Sequence, residues 1–262
     1  MNEEKPHLSY SQVQCYITCP LKYRLSYVDG LEPEFRPAGL HFGSAIHQAV
    51  AAFLNSTLDG DHLTADNMTD VWRDAWRPNG KQIKFFGKED ETLLTKKAGE
   101  LLAIYHDYWN HDTEVLAVEE FFAFDLSQVI PDNPDPLPDF VGYIDSIEKS
   151  VSGEITVVDL KTAARKPSQF QIQNNGQLAA HGLGAATSLG FNPEELKYRL
   201  DYLMKGPNPD LISFNTARNE DDMRRFIKLT TRVWKGITEN IFYPKPDYYC
   251  QTCQWQTYCA EW

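Results

Sequence analysis

Cysteine is scarce in this chain. Cys15, Cys19, Cys250, Cys253 and Cys259 are the whole supply in 262 residues, with none between Cys19 and Cys250. An odd number crowded at the two ends does not build a secreted disulfide framework and reads as metal ligation in a reducing compartment. No charged start leads into an apolar stretch and no apolar run reaches about 18 residues, so neither a secretion signal nor a membrane span is expected, and the chain is placed in a cytoplasm. Basic residues are in deficit, 25 against 37 acids for a net charge of -12. This argues against a generic polyanion binder, because nonspecific nucleic-acid affinity comes from Lys and Arg neutralising phosphates. A phosphate loop is missing too. Asn79-Gly80-Lys81 has neither the upstream glycine nor the following Ser or Thr, so no nucleotide-hydrolysing motor is visible. Repeats and low-complexity tracts are absent.

What is present is an ordinary globular composition, 42% hydrophobic and 24% charged, enough for a sizeable core. Leu8 to Tyr27 opens as a helix with Ser11 as N-cap, places Cys15 and Cys19 one turn apart, and is re-aimed by Pro20. A loop follows over 29–39. A helix then starts near Ser44 with Ile46, Val50, Phe53 and Leu54 on one stripe and His47 in its first turn. The pattern stays helical to about 112, with breaks at 77–80 and 86–88 and a last helix from Glu91 to Asn110. Val115 to Leu126, rich in Phe with Glu119 and Glu120, is the first strand, and 127–140 is a proline-rich loop. After Pro167 the chain is helical around Gln177 and His181. Leu196 to Met204 and Leu211 to Asn215 are strands, and Asn219 caps a final helix with acids in its first turn. That helix carries an apolar seam of Phe226, Val233, Ile237 and Ile241, and a basic stripe of Arg225, Lys228, Arg232 and Lys235. The stripe reads as a solvated face or as a path for a nucleic-acid strand. It lies within 197–235, where bases outnumber acids nine to five.

The chemistry converges on two strands, Val141 to Glu148 and 154–161, joined by a turn over Ser150 to Gly153. Alternation puts Tyr143, Asp145 and Ile147 on one face of the first, and Val157, Asp159 and Lys161 on one face of the second. With pairs summing to 304, Asp145 lies opposite Asp159; at 302 it is one diagonal away. Two carboxylates that close repel unless a cation or a shared proton lies between them. Oxygen ligands favour Mg²⁺ or Mn²⁺, and the latter tolerates an imidazole. The ordinary alternative is a surface ion pair of Asp159 with Lys161.

LSYSQVQCYITCP, GSAIH with His47, GYIDSI with Asp145, VVDLKT with Asp159 and Lys161, QLAAH with Gln177, and CQTCQWQTYC follow one another along nearly the whole chain. In that order the sequence resembles the PD-(D/E)xK nuclease superfamily, specifically its RecB-like branch with an iron-sulfur cluster, which includes the AddB nuclease domain and the CRISPR-associated "Cas four" exonucleases. The resemblance implies an α/β fold with a restriction-endonuclease-like core, a central mixed sheet flanked by helices. It implies one domain over 1–262, with 1–28 and 241–262 joined at a cluster, 29–112 helical and 113–218 as nuclease core. His47, Asp145, Asp159 and the backbone carbonyl of Leu160 would bind the divalent metal. Lys161 would position the water, with Gln177 supporting the site. Cys19, Cys250, Cys253 and Cys259 would hold a [4Fe-4S] cluster, with Cys15 spare; the spacing also suits a four-thiolate zinc site. His181 stands where the family often has Tyr.

The activity implied is metal-dependent phosphodiester hydrolysis of DNA, as an exonuclease on ends or single strands in repair, recombination, phage DNA processing or CRISPR adaptation. A helicase or a CRISPR integration complex is the protein partner implied, a homo-oligomer is compatible with it, and no membrane is involved. The alternatives are a catalytically weak nucleic-acid-binding or assembly subunit and a nuclease acting on RNA.

Overall fold

The computed structural model describes residues 6–77, 82–109, 112–130 and 136–262. In chain order the elements are β1 (His7–Leu8), α1 (Tyr10–Thr18), α2 (Pro20–Tyr23), β2 (Arg36–Pro37), α3 (Ala38–Leu58), α4 (Ala65–Trp76), β3 (Ile83–Lys84), α5 (Glu91–Tyr108), β4 (Glu114–Asp125), α6 (Leu126–Val129), β5 (Asp139–Lys149), β6 (Ile155–Ala163), α7 (Gln169–Gln173), α8 (Gly176–Leu189), β7 (Lys197–Met204), β8 (Asp210–Thr216), α9 (Glu220–Thr238) and α10 (Gln256–Ala260).

Several boundaries depart from the sequence reading. Ser9, not Ser11, caps α1, its hydroxyl accepting from the Gln12 amide at 3.3 Å. The next long helix starts at Ala38 rather than near Ser44. Gly39 and Gly43 look like helix breakers, but α3 lies tight on the sheet, where a Cβ at Gly43 would come 3.0 Å from Thr162 Oγ1. The strand after residue 114 is not the first, because His7–Leu8 pairs with Asp139–Phe140; two residues are too few for a periodic signal. The helical region also contains a two-residue parallel ribbon, Arg36–Pro37 against Ile83–Lys84. Residues 78–80 of the expected break, the helix end at Asn110, and Pro131 and Pro134 of the loop lie outside the described residues.

Six strands form one mixed sheet in the order β1-β5-β6-β7-β8, with β4 along the other edge of β5. Pairing of β1 with β5 and of β6 with β7 is parallel, and the rest is antiparallel. The β5–β6 pairs sum to 304, from Ser146↔Val158 to Lys149↔Ile155. The turn between these strands closes with Gly153 at φ +88° and its amide donating to Ser150 O at 2.9 Å. Beyond Ser146 the two strands part, because β6 continues along β7 to Ala163 while the far end of β5 pairs with β1. The sheet opens between neighbours at this fork.

Helices cover both faces. On one, α3, α4 and α5 bury Phe42, Phe53, Trp72, Leu101 and Leu102 against Leu160 and Leu203. Met68, Trp72 and Trp76, four residues apart on α4, form the stripe that a 3.6-residue period requires. Trp72 is fully enclosed, and its truncation to Ala should cost about 3–5 kcal/mol. On the other face α1, α8 and α9 pack Val13, Leu178, Phe226 and Val233 onto Phe122, Phe140, Val157 and Tyr198. Gly142 explains part of the GYID motif: a Cβ there would come 2.6 Å from Phe122 Cζ, so the ring occupies the space the missing side chain leaves. Among the described residues, no helix is long and apolar enough to cross a membrane.

Candidate active site at the fork of the sheet

Asp145 is the last β5 residue before pairing with β6 begins, and it bridges the fork. Its Oδ2 accepts the Leu160 amide at 2.7 Å, replacing a strand-to-strand hydrogen bond, while Oδ1 lies 3.5 Å from His47 Nδ1. His47 reaches it from α3, which the close contact at Gly43 holds against β6. Asp159, directly beyond the paired segment on β6, is fully buried. Its Oδ1 accepts from Lys161 Nζ at 2.9 Å, and Lys161 also donates to Gln177 Oε1 at 2.8 Å. Gln177 is placed by the start of α8, where Asn175 Oδ1 accepts the amides of Gln177 and Leu178. The five side chains expected from the sequence, His47, Asp145, Asp159, Lys161 and Gln177, therefore come from α3, β5, β6 and α8 to one place.

Burial pushes the Asp145 carboxyl up, but its hydrogen bond and charge pairing with His47, helped by Lys161, more than reverse this and hold it below its ordinary value. For Asp159 burial prevails over Lys161 and the carboxyl is pushed up. Two acids at one site are thus driven apart. Burial depresses the Lys161 ammonium, yet Asp159 and Asp145 outweigh it and keep it above its ordinary value. His47 behaves likewise: burial lowers it and Asp145 raises it further.

Glu119 was missed by sequence reasoning. The β4–β5 pairs Val118↔Ser146 and Glu120↔Ile144 place it opposite Asp145, and its φ of +49° turns the backbone into the left-handed region. A non-glycine residue there costs about 1–3 kcal/mol and clusters at functional sites. Partial burial, then Asp145, pushes its carboxyl up. Among the described residues, His47, Glu119 and Asp145 are the group of three whose ligand atoms lie within 4.8 Å of one another. The signal available was an acid in a Phe-rich strand, which alternation alone explains equally well. Tyr10, at the start of α1, was also missed. Burial pushes its hydroxyl up, while Lys161 and Asp159 act on it through their charges.

These residues fit a hard divalent cation. The donors are imidazole and carboxylate, and Asp159 Oδ2 is buried without a hydrogen-bond partner, an arrangement that costs free energy unless something positive completes it. His181, in place of the expected Tyr, packs edge-on against Phe122 at 6.2 Å. Burial pushes it down, while Asp159, Asp145 and Lys161 act on it through their charges, and its Nδ1 is buried without a hydrogen-bond partner, so the departure from the motif lies against the site.

At the chain ends, Cys19, Cys250, Cys253 and Cys259 line one cavity of about 600 Å³, with Leu21, Leu25 and Trp255 packed on three of them. Cys15 is not part of that lining, and burial pushes its thiol up to about 11. The thiols are free and do not fall within the 4.8 Å grouping found for His47, Glu119 and Asp145. The two ends of the chain are tied by Leu21 N–H donating to Tyr243 O (3.0 Å) and Tyr16 Oη–H donating to Ile241 O (2.8 Å).

The basic stripe on α9 faces solvent, opposite the side buried on α1 and α8. Arg225 pairs with Asp222 of the same helix at 3.8 Å, and Lys235 with Glu239 just past its end at 3.6 Å. Of the seam expected on this helix, Ile241 lies past its end and is 45% exposed.

A sequence profile of the PD-(D/E)XK nuclease superfamily matches residues 7–260. The gene 69 protein of Mycobacterium phage D29 is 24% identical over 276 aligned positions, covering 92% of this chain and 91% of that protein. A crystal structure of a candidate exonuclease from Eubacterium rectale superposes with a TM-score of 0.56 at 12% identity, covering 97% of this chain and 87% of the other. The latter is a likeness of fold.

Proposed function

Because the chain belongs to the PD-(D/E)XK nuclease superfamily, we propose that it is a divalent-metal-dependent DNA nuclease of the RecB-like branch, acting as an exonuclease on ends or single strands. The observation that carries this reading is the incomplete charge at the fork: His47, Glu119 and Asp145 converge within 4.8 Å beside an Asp159 oxygen with no partner. His47, Glu119, Asp145 and Asp159 would hold Mg²⁺ or Mn²⁺, with the Leu160 carbonyl as a further oxygen. The ion would supply Lewis-acid stabilisation of charge developing on the scissile phosphate. Lys161, steadied between Asp159 and Gln177, orients the attacking water and offers its ammonium to the same developing charge. The Leu160 amide fixes Asp145 in place, so the carboxylates need no rearrangement when substrate arrives. End-labelled single- and double-stranded DNA incubated with Mg²⁺ or Mn²⁺ should be shortened, reversibly stopped by chelation, and shortened again on adding the ion back. Cleavage at full rate in excess chelator would reject the reading.

The same reading gives Cys19, Cys250, Cys253 and Cys259 a [4Fe-4S] cluster that staples 1–28 to 241–262 around the helical part and nuclease core, with zinc as the alternative occupant. Iron and sulfide after anaerobic purification would support it, and stoichiometric zinc without sulfide would refute it. Among repair, recombination, phage DNA processing and CRISPR adaptation, the likeness to a mycobacteriophage protein supports the phage setting. Lacking a phosphate loop, the chain would meet opened ends or work beside a helicase or an integration complex.

A further inference from the structure

Two large aromatic side chains lie open to solvent beside the fork. Phe121 is 50% and Tyr143 56% exposed, their ring centroids 5.3 Å apart at 58°. They are direct cross-strand partners on β4 and β5, so they share one face. Tyr143 is two residues from Asp145 and Phe121 two residues from Glu119, which along a strand is about 6.7 Å. Ala123, exposed, and Val141, opposite it, continue the same face. The strip carries no charge until Asp125 and Asp139 end it. Its reverse side is the buried row of Phe122, Phe124, Phe140 and Ile144, so the sheet has its core without the exposed pair. The backbone beneath is rigid, since the Phe122 ring fills the space at Gly142 and the β4–β5 ladder runs from Glu114↔Lys149 to Asp125↔Asp139.

We propose that Phe121 and Tyr143 form a base-stacking platform that receives one unpaired nucleotide of a nucleic-acid strand whose adjoining phosphate lies at His47, Glu119 and Asp145. This rests on the nuclease reading and names its substrate class: a single strand, or a duplex end frayed to expose a base. The strand must pass the metal-binding acids, and the platform is continuous with them on the same two strands. The charge pattern chooses the part of the strand that lies there. Phe121, Ala123, Val141 and Tyr143 offer a phosphate no cation, which leaves it to the ion that His47, Glu119 and Asp145 would hold, whereas the uncharged ring faces accept the flat face of any base, a sequence-tolerant interaction. Paired bases inside a duplex keep their faces stacked and cannot make it.

The test uses the full chain carrying Asp145→Asn, so that bound DNA is not consumed, and measures affinity for single-stranded oligonucleotides. Phe121→Ala with Tyr143→Ala should weaken binding about 5- to 150-fold, the range for losing one to three kcal/mol of base stacking. An oligonucleotide with an abasic residue at the stacked position should lose the same factor on the parent and lose nothing further on the double variant. Phe121→Trp should retain affinity, whereas Phe121→Leu, which keeps apolar area without a flat ring, should not. Thermal melting of each variant confirms that it is folded. Equal affinity of parent and double variant would overturn the proposal, as would a chain that dimerises through this face and becomes monomeric in the double variant with DNA binding unchanged. Cleavage of end-labelled DNA by the unmutated chain, run in parallel, separates the outcomes: cleavage with no effect of the aromatics rejects the platform alone, and no cleavage under any metal rejects the nuclease reading beneath it.

Discussion

Asp145 and Glu148 lie three residues apart on β5, and the fold treats them oppositely. Glu148 meets Arg199 Nη2 at 2.9 Å, and the same guanidinium donates to Asp201 through Nε at 2.9 Å. Ser146 Oγ donates to Glu148 at 3.2 Å, Ser213 Oγ donates to Asp201, and Tyr108 shares a hydrogen bond with Ser213 at 2.9 Å. Around Asp145, by contrast, three carboxylates face one ammonium and an imidazole, and Asp159 Oδ2 is left over. The first cluster is closed, with every acid facing the same cation. The second is open, and its remaining charge calls for a ligand from outside. Acids beside each other on one sheet can thus be read apart by whether their partners are already present.

Breaking the open cluster should have the largest effect. Asp159→Asn removes one charge with little change of shape, and cleavage should fall about 10³-fold, the scale of losing preorganised charge stabilisation; the same measurement on protein of unchanged melting temperature checks that the loss is chemical. Arg199→Met tests the closed cluster. It strands two buried carboxylates and should cost about 3–5 kcal/mol of stability, read as a lower urea midpoint, while the cleavage rate per folded molecule stays near that of the parent. If stability held and cleavage collapsed, the roles given to the two clusters would be exchanged. Cys253→Ala should remove bound iron and sulfide and lower the melting temperature, since thiolates bind their metal as part of folding; unchanged iron content would exclude Cys253 as a ligand. The smallest effect belongs to α9. Replacing Arg225, Lys228, Arg232 and Lys235 by Gln should flatten the salt dependence of single-strand binding by about 0.7 in slope for each phosphate that is no longer neutralised. An unchanged slope would make the stripe a solvated face, which its pairing with Asp222 and Glu239 already favours for two of the four.

The open cluster was legible in sequence because alternation is strict: Asp159 and Lys161 share a face, and both registers left open, sums of 304 and 302, brought Asp145 near Asp159, the structure having 304. His47 and Gln177 could be placed only by order along the chain, since nothing in a helical stretch says which strand it will face. Glu119 was hidden because its role depends on a φ of +49° and on a cross-strand neighbour 26 residues away, and neither leaves a local mark. The same holds for the closed cluster, where Glu148, Arg199 and Asp201 looked like ordinary strand charges. The nine-to-five basic excess in 197–235 is partly paired in the fold. Lys197, Arg199, Lys205, Arg224, Arg225 and Lys235 each pair with an acid, so the net surface charge there is smaller than a count suggests. Short elements escaped as well, since two-residue strands such as His7–Leu8 are created by pairing rather than by propensity.

The central claim is that the fork binds a divalent cation because its charge is incomplete, and calorimetric titration of Mn²⁺ into the parent, Asp145→Asn and Glu148→Gln tests it most directly. Binding should weaken at least about 10-fold in Asp145→Asn and remain within about 2-fold of the parent in folded Glu148→Gln, a contrast on the scale that ligand-shell changes produce. Equal Mn²⁺ affinity in the parent and Asp145→Asn, or loss of binding in Glu148→Gln alone, would contradict it.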